Sequence, residues 1–160
     1  MEDNFVNEYI YKEAVIKTWI LAVLTLIWFI FFTVLTFQDG EDTAEVSGKV
    51  AEAVETVVET VMTEPKLDEK ALEKQLRFLA HPIGFLVFTI LFLLTIRSTI
   101  YAGTNAEIFA VTLLILWSIL SEILKIPIPG RHYGSVDVAG NLAGVGIGYL
   151  IMWRLLLLDT

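Results

Sequence analysis

The sequence contains no cysteine, and its basic residues are few and scattered. Without cysteine, the chain has no disulfide, no thiolate metal site and no cysteine nucleophile. Eleven Lys and Arg residues against 19 Asp and Glu residues give a formal net charge of −8. Because no basic stripe is present to neutralise phosphates along a polynucleotide, the sequence argues against a nucleic-acid partner.

Apolar sequence is abundant by contrast. Hydrophobic residues make up 56% of the 160 residues, and the mean hydropathy of +0.68 is too high for a soluble domain. Four apolar runs are each about as long as a helix needs to cross about 30 Å of hydrocarbon. They cover residues 18–37, 79–97, 106–124 and 137–158. The sequence therefore predicts an all-α integral membrane protein, a four-transmembrane-helix bundle in a lipid bilayer.

The segments between these runs are polar. Residues 1–17 carry acidic groups and aromatic rings, which predicts a short N-terminal interfacial segment. Those acidic residues, and the lack of a small-residue cleavage site, are untypical of a signal peptide, so we expect the first run to stay as a membrane anchor. In the loop of residues 38–78, valines at helical spacing predict an amphipathic helix over residues 44–62, with a strand as the alternative. Pro82 either lies in the first turn of the second span or kinks a helix continuous from Asp68.

An even number of spans places both termini on one side of the membrane. The polar residues at the other ends of the spans then meet on the opposite side, where ionisable groups are costly and mark a functional site by default. We call this set the polar mouth. Its members are Arg77, His81, Glu122, Arg131, Asp137 and Asn141.

Arg131 is the strongest candidate for ligand binding, because the fork of its guanidinium matches a phosphate or a carboxylate. The alternative is an internal ion pair with Asp137 or Glu122. Asp137 and Asn141 lie one helical turn apart and can share a ligand, although Asp137 is equally a candidate N-cap of the fourth span. Arg77 is a further candidate for ligand binding.

His81 and Glu122 form a candidate general acid and base pair, with Asp137 as a third candidate catalytic residue, because histidine exchanges a proton near neutral pH. The same three residues can also bind a divalent ion. One histidine with scattered carboxylates is a weak metal pattern, however, so we predict no metal site and name no cofactor. A purely structural hydrogen bond is the alternative, since buried charges need partners in any case. Ser135 is a candidate for ligand binding and a remote one for a nucleophile.

Glycine recurs at every fourth position of the fourth span, at Gly140, Gly144 and Gly148. On a helix these three residues share one face, which lets another helix backbone approach closely. We predict that this face packs within the bundle, with dimerisation as the alternative.

Several of these residues occur in a pattern that resembles the VanZ-like family of small bacterial membrane proteins, named for an accessory teicoplanin-resistance protein. Arg77 and His81 stand where that family has a basic residue and a histidine entering the second span. The most specific part is the C-terminal pattern. It comprises Glu122, Pro129, Gly130, Arg131, Gly134, Ser135, Asp137, Asn141, Gly144 and Gly148, in order and spacing. The chain departs from the family pattern at Phe78, at Phe85 and at Lys125, where glutamine is common.

The resemblance implies a bacterial cell-membrane protein with cytoplasmic termini and an extracellular polar mouth. It also implies an influence on glycopeptide susceptibility. We therefore expect the mouth to bind a phosphate-bearing envelope lipid of the polyprenyl-phosphate type or a cell-wall precursor. The alternatives are a membrane-embedded enzyme that transfers or hydrolyses a lipid-linked phosphate, and a structural partner of another membrane protein.

Overall fold

A computed structural model of the protein describes residues 2–37, 49, 69–99 and 101–158. Within these residues the chain forms four long α-helices and no strand. They are α1 (Glu2–Phe37), α2 (Glu69–Arg97), α3 (Thr104–Leu124) and α4 (Ser135–Leu158). Each contains a segment long and apolar enough to cross a membrane. These segments are Tyr11–Phe37, Phe78–Arg97, Thr104–Leu124 and Ser135–Leu155. The prediction of an all-α fold with four spans is confirmed, and the chain is a multi-pass membrane protein.

The helices extend beyond the predicted spans. The predicted N-terminal interfacial segment is the first part of α1, which continues without a break into the first span. Helix α2 likewise continues through Pro82, so this proline lies inside one continuous helix and not in the first turn of a separate one. A proline inside a helix has no N–H to donate to the carbonyl four residues earlier, here that of Phe78. The predicted amphipathic helix of residues 44–62 lies outside the described residues, except for Lys49.

Helix α2 is the centre of the bundle, since it packs against each of the other three helices and most extensively against α4. The glycine face of α4 makes this close approach possible. A Cβ at Gly144 would lie 2.2 Å from the backbone oxygen of Pro82, and one at Gly148 would lie 2.8 Å from Cβ of Thr89. Gly140 is less tightly covered, at 3.4 Å from the ring of Pro82. The glycine face therefore lies against α2 of the same chain.

Helix α1 packs against α2 at a different glycine, Gly84. The indole N–H of Trp28 donates to the backbone oxygen of Gly84 at 3.0 Å, and a Cβ at Gly84 would overlap the ring of Phe32. Thr25 and Thr95 share a hydroxyl hydrogen bond of 2.8 Å further along the same interface. Even so, only 11% of the α1 span is buried, against 28% of each of the α3 and α4 spans. Helix α1 is thus a peripheral helix held to α2, with most of its surface left for lipid.

An ion pair holds the end of the bundle away from the polar mouth. Arg97 donates from Nε and Nη2 to the carboxylate of Glu107, at 2.7 and 3.2 Å, and from Nη1 to the backbone oxygen of Met152 at 2.7 Å. One guanidinium therefore ties the end of α2 to the start of α3 and to the last turns of α4. The apolar core lies between the two polar ends. It comprises Phe85, Phe88, Leu93, Ala110, Leu114, Val145 and Met152.

Candidate functional site

Polar side chains from three helices meet at the opposite end of the bundle. His81 comes from the first half of α2, Glu122 from the last turn of α3, and Asp137 from the first turn of α4. Each offers a nitrogen or oxygen atom, and the three atoms lie within 4.8 Å of one another. We call these three residues, together with Lys125, the central cluster. It lies where consecutive helices of alternating direction bring their ends together, as the sequence predicted for the polar mouth.

Glu122 and Lys125 form the most buried part of the cluster. Glu122 is completely buried and Lys125 is 2% exposed. The Nζ atom of Lys125 donates to Oε1 of Glu122 at 2.5 Å. Because α3 ends at Leu124 and Lys125 is its C-cap residue, the ammonium group folds back over the last turn onto a carboxylate three residues earlier. The other carboxylate oxygen, Oε2, has no hydrogen-bond partner among the described residues.

His81 faces this pair across the α2–α3 interface. Its Nδ1 atom lies 3.9 Å from Oε1 of Glu122, which is too far for a hydrogen bond. Nδ1 is buried and has no partner in the described part of the chain. The charges that act on the imidazole are those of Lys125, Asp137, Glu122 and Arg131. His81 is therefore surrounded by two cations and two anions.

Asp137 is held by the way α4 begins. The helix starts at Ser135, so Asp137 lies in its first turn and is not the residue that precedes the helix. A Cβ at Gly134 would lie 2.6 Å from Oδ2 of Asp137. The carboxylate thus lies against the backbone at the start of α4, in space that any side chain at position 134 would fill. A carboxylate in the first helical turn is also stabilised by the helix dipole.

Asn141 lies one turn deeper than Asp137 and is fully buried. Its Nδ2 atom donates to the backbone oxygen of Ser118 on α3 over a long 3.5 Å. Its Oδ1 atom has no hydrogen-bond partner among the residues that the structure describes. Asn141 therefore bridges α3 and α4 with half of its amide and leaves the acceptor half unsatisfied.

Arg131 comes from the turn between α3 and α4. Gly130, with a φ of +71°, takes the left-handed conformation that glycine adopts readily. The guanidinium of the following Arg131 then reaches across the mouth and donates from Nη2 to the backbone oxygen of Thr36, near the end of α1, at 3.2 Å. Arg131 thereby connects the peripheral helix α1 to the polar end of the bundle.

Arg131 and Asn141 lie beside the central cluster, and two further predicted ligand-binding residues, Ser135 and Arg77, are not part of it. Ser135 is the first residue of α4 and is exposed. Arg77 lies on α2 one turn before His81, but its side chain is outside the described part of the structure.

Sequence reasoning missed Lys125 as a residue of the site. A lysine that follows an apolar span and precedes two prolines ordinarily lies at the interface with water. Its spacing of three residues from Glu122 was the available indication, because a carboxylate within the membrane needs a cationic partner.

The central cluster combines several chemical capabilities. Lys125 supplies a cationic donor, Glu122 and Asp137 supply carboxylates, and His81 can accept or donate a proton; Arg131 in the adjacent turn adds a second cationic donor. Four buried polar atoms, one from each helix, remain unpaired within the described residues: the hydroxyl oxygen of Thr33, Nδ1 of His81, Oε2 of Glu122 and Oδ1 of Asn141. An arrangement built only for stability would satisfy such atoms, since each buried unpaired group costs about 1–3 kcal/mol. Their presence favours a site that receives a ligand.

No protein-family model, no curated protein and no solved structure matches this chain.

Proposed function

We propose that this membrane protein binds the phosphate group of an amphiphilic envelope molecule in its polar mouth, either a lipid of the polyprenyl-phosphate type or a cell-wall precursor. The observation that carries the proposal is the presence of two cationic side chains at one end of the membrane spans, Lys125 buried beside Glu122 and Arg131 in the turn before α4. A mixed-charge cluster at the end of membrane spans is costly to build. A ligand that enters from the bilayer with a phosphate head would place its oxygens against these two cations.

The cations suit a phosphate in complementary ways. An ammonium group has three donors, of which Glu122 accepts one, so Lys125 retains donors for a phosphate oxygen. Arg131 adds a planar guanidinium, which binds two phosphate oxygens side by side. Asn141 and His81 line the same end of the bundle and can hydrogen-bond to a bound headgroup. A protonated phosphate oxygen can donate in turn to Oε2 of Glu122.

The large exposed surface of the α1 span supports a lipid ligand. Helix α1 has little buried surface, and Arg131 contacts it near its end at Thr36. A long apolar chain can lie along the lipid-exposed faces of the helices while its phosphate head occupies the mouth. A soluble phosphate compound would gain nothing from this surface.

The resemblance to the VanZ-like family supports the proposed location, orientation and cellular effect of the protein. On that basis the protein belongs to a bacterial cell membrane, with its polar mouth outside and its termini in the cytoplasm. By holding a lipid-linked cell-wall precursor there, it would alter susceptibility to glycopeptides such as teicoplanin.

A second candidate function is hydrolysis or transfer of the lipid-linked phosphate. It is favoured by the buried Nδ1 of His81, which lies 3.9 Å from Oε1 of Glu122 without a hydrogen bond. Catalytic hydrogen bonds are often long before the substrate binds. In this mechanism His81 takes the proton of a water that attacks phosphorus, the bond between phosphorus and the leaving oxygen breaks, and the imidazolium returns the proton to that oxygen. Lys125 and Arg131 stabilise the charge that develops on the phosphate oxygens.

A partner-binding role through the glycine face has less support. Gly144 and Gly148 already lie against α2 of the same chain, so this face is covered. The acidic helix predicted for residues 44–62 lies almost entirely outside the described residues.

The test is to incubate the purified protein in detergent with a polyprenyl phosphate or pyrophosphate and follow ligand and product by mass spectrometry. We expect retained ligand in the parent protein and its loss in Arg131→Ala. Product that forms with the parent and is absent with His81→Ala would establish the enzymatic alternative. If the parent retains no more ligand than Arg131→Ala and forms no product, the proposed function is wrong.

A further inference from the structure

Three residues of the central cluster carry side-chain atoms of the types that bind metal ions. His81, Glu122 and Asp137 each offer one ligand atom, and all three atoms lie within 4.8 Å of one another. Three ligand atoms on one small divalent ion, each at about 2.0–2.2 Å from it, are about 3.3–3.8 Å apart, roughly 1 Å closer than here. Small side-chain rotations therefore suffice to bring the three atoms onto one ion. The three residues come from three different helices, so their separation is set by the packing of the bundle.

A second observation points to a ligand at the same place. Glu122 is completely buried, yet its Oε2 has no hydrogen-bond partner in the described part of the chain. The same is true of the buried Nδ1 of His81. Oε2 of Glu122 is an acceptor, and so is Nδ1 of His81 when it carries no proton. A cation between the two residues would interact favourably with both atoms.

Lys125 is compatible with a cation at this position. Its ammonium group contacts Oε1 of Glu122 and leaves Oε2 without a partner. This contact favours an ionised carboxylate, which is the form a metal requires. The ammonium also repels a nearby cation, so it lowers the affinity of the site. Removal of Lys125 should therefore strengthen metal binding, whereas it should weaken phosphate binding.

We propose that His81, Glu122 and Asp137 form a binding site for a divalent transition-metal ion, with Zn²⁺ as the ion that fits best and Mn²⁺ as the paramagnetic ion that reports on the site. Mg²⁺ and Ca²⁺ favour ligand sets made entirely of oxygen, whereas one imidazole nitrogen with two carboxylates suits ions of intermediate softness. The proposal does not depend on a phosphate ligand.

The test uses the full chain in detergent, purified with an affinity tag that contains no histidine. Mn²⁺ is titrated, and the free ion is counted by electron paramagnetic resonance. Pulsed measurements on the bound ion then report whether a ¹⁴N nucleus is coordinated. We expect one site with ¹⁴N coupling, lost in His81→Gln together with at least a tenfold weaker affinity. His132→Gln is the matched control, because His132 is the other histidine of the chain and is exposed.

Variants of two charged neighbours of His81, and of a distant carboxylate, complete the test. Asp137→Asn should weaken Mn²⁺ binding at least tenfold, and Lys125→Met should strengthen it. Glu107→Gln, which alters a carboxylate at the far end of the bundle, should leave the affinity unchanged. Bound Mn²⁺ without ¹⁴N coupling, or coupling that survives in His81→Gln, would overturn the metal site. Because phosphate binding is measured separately on metal-free protein, either proposal can fail without the other.

Discussion

Lys125 and Glu122 form an ion pair of 2.5 Å in which both side chains are almost completely removed from solvent. Removing either partner leaves the other charge buried and unpaired. We expect Glu122→Gln and Lys125→Met each to destabilise the protein by about 3–5 kcal/mol. The double variant should lose much less than the sum of the two, because it leaves no buried charge. Thermal unfolding of all four proteins in one detergent measures this coupling, and additive losses would show that the pair is not a unit.

The contact between Gly144 and Pro82 sets the distance between α4 and α2. A methyl group at position 144 would meet the backbone oxygen of Pro82 at 2.2 Å, and backbone cannot move aside cheaply. Gly144→Ala should therefore lower stability by about 1–3 kcal/mol. Gly146 is the matched control, since a Cβ there meets nothing within 4 Å. Gly146→Ala should be neutral or slightly stabilising in the same thermal-unfolding assay, because alanine favours the helix. Equal effects of the two substitutions would contradict this account of the interface.

The ion pair at the other end of the bundle should affect stability without affecting the polar mouth. Arg97→Gln removes the contacts to Glu107 and to the backbone oxygen of Met152. Because both side chains of the ion pair are mostly buried, the expected loss is about 1–3 kcal/mol. Phosphate-ligand affinity, measured on the same preparation below its unfolding temperature, should be unchanged. A parallel loss of affinity would mean that the two ends are coupled.

Two substitutions of Arg131 separate the contribution of its positive charge to phosphate binding from that of its guanidinium geometry. Arg131→Ala should weaken the binding of a polyprenyl phosphate by about tenfold or more. Arg131→Lys should recover only part of this affinity, because an ammonium cannot bind two phosphate oxygens in the manner of a guanidinium. Titration of the lipid monitored by native mass spectrometry provides the affinities. Arg154→Ala, at an exposed arginine near the opposite end of α4, is the control for non-specific charge effects.

The span pattern and the meeting of polar residues at one end follow from the sequence for a simple reason. Hydropathy fixes which segments cross a bilayer, and the alternation of direction then places Glu122, Asp137 and His81 at the same end. The glycine spacing of α4 likewise marks a face that allows close approach. These inferences need only the position of a residue along its own helix.

Other features depend on how the helices are arranged relative to one another. Gly84 has no neighbouring glycine at helical spacing, so nothing in its surroundings marks it as the place where Trp28 and Phe32 pack. The burial of Lys125 depends on its side chain folding back onto Glu122 and on the packing of the helices at this end of the bundle. The partners of Arg97, Glu107 and the backbone oxygen of Met152, likewise follow only from the packing of α3 and α4 against α2. Hydropathy contains no information on such contacts.

The most direct test of the central claim is a distance measurement between a bound phosphate and Arg131. The protein is labelled with ¹⁵N at arginine side chains and loaded with a polyprenyl phosphate in phosphorus-free glycolipid bilayers, so that the ligand holds the only phosphorus. Rotational-echo double-resonance NMR between ³¹P and guanidinium ¹⁵N should show dephasing typical of direct contact, with a marked reduction in Arg131→Lys. Absence of dephasing with the lipid bound, or dephasing that Arg131→Lys leaves unchanged, would contradict phosphate binding by Arg131 in the polar mouth.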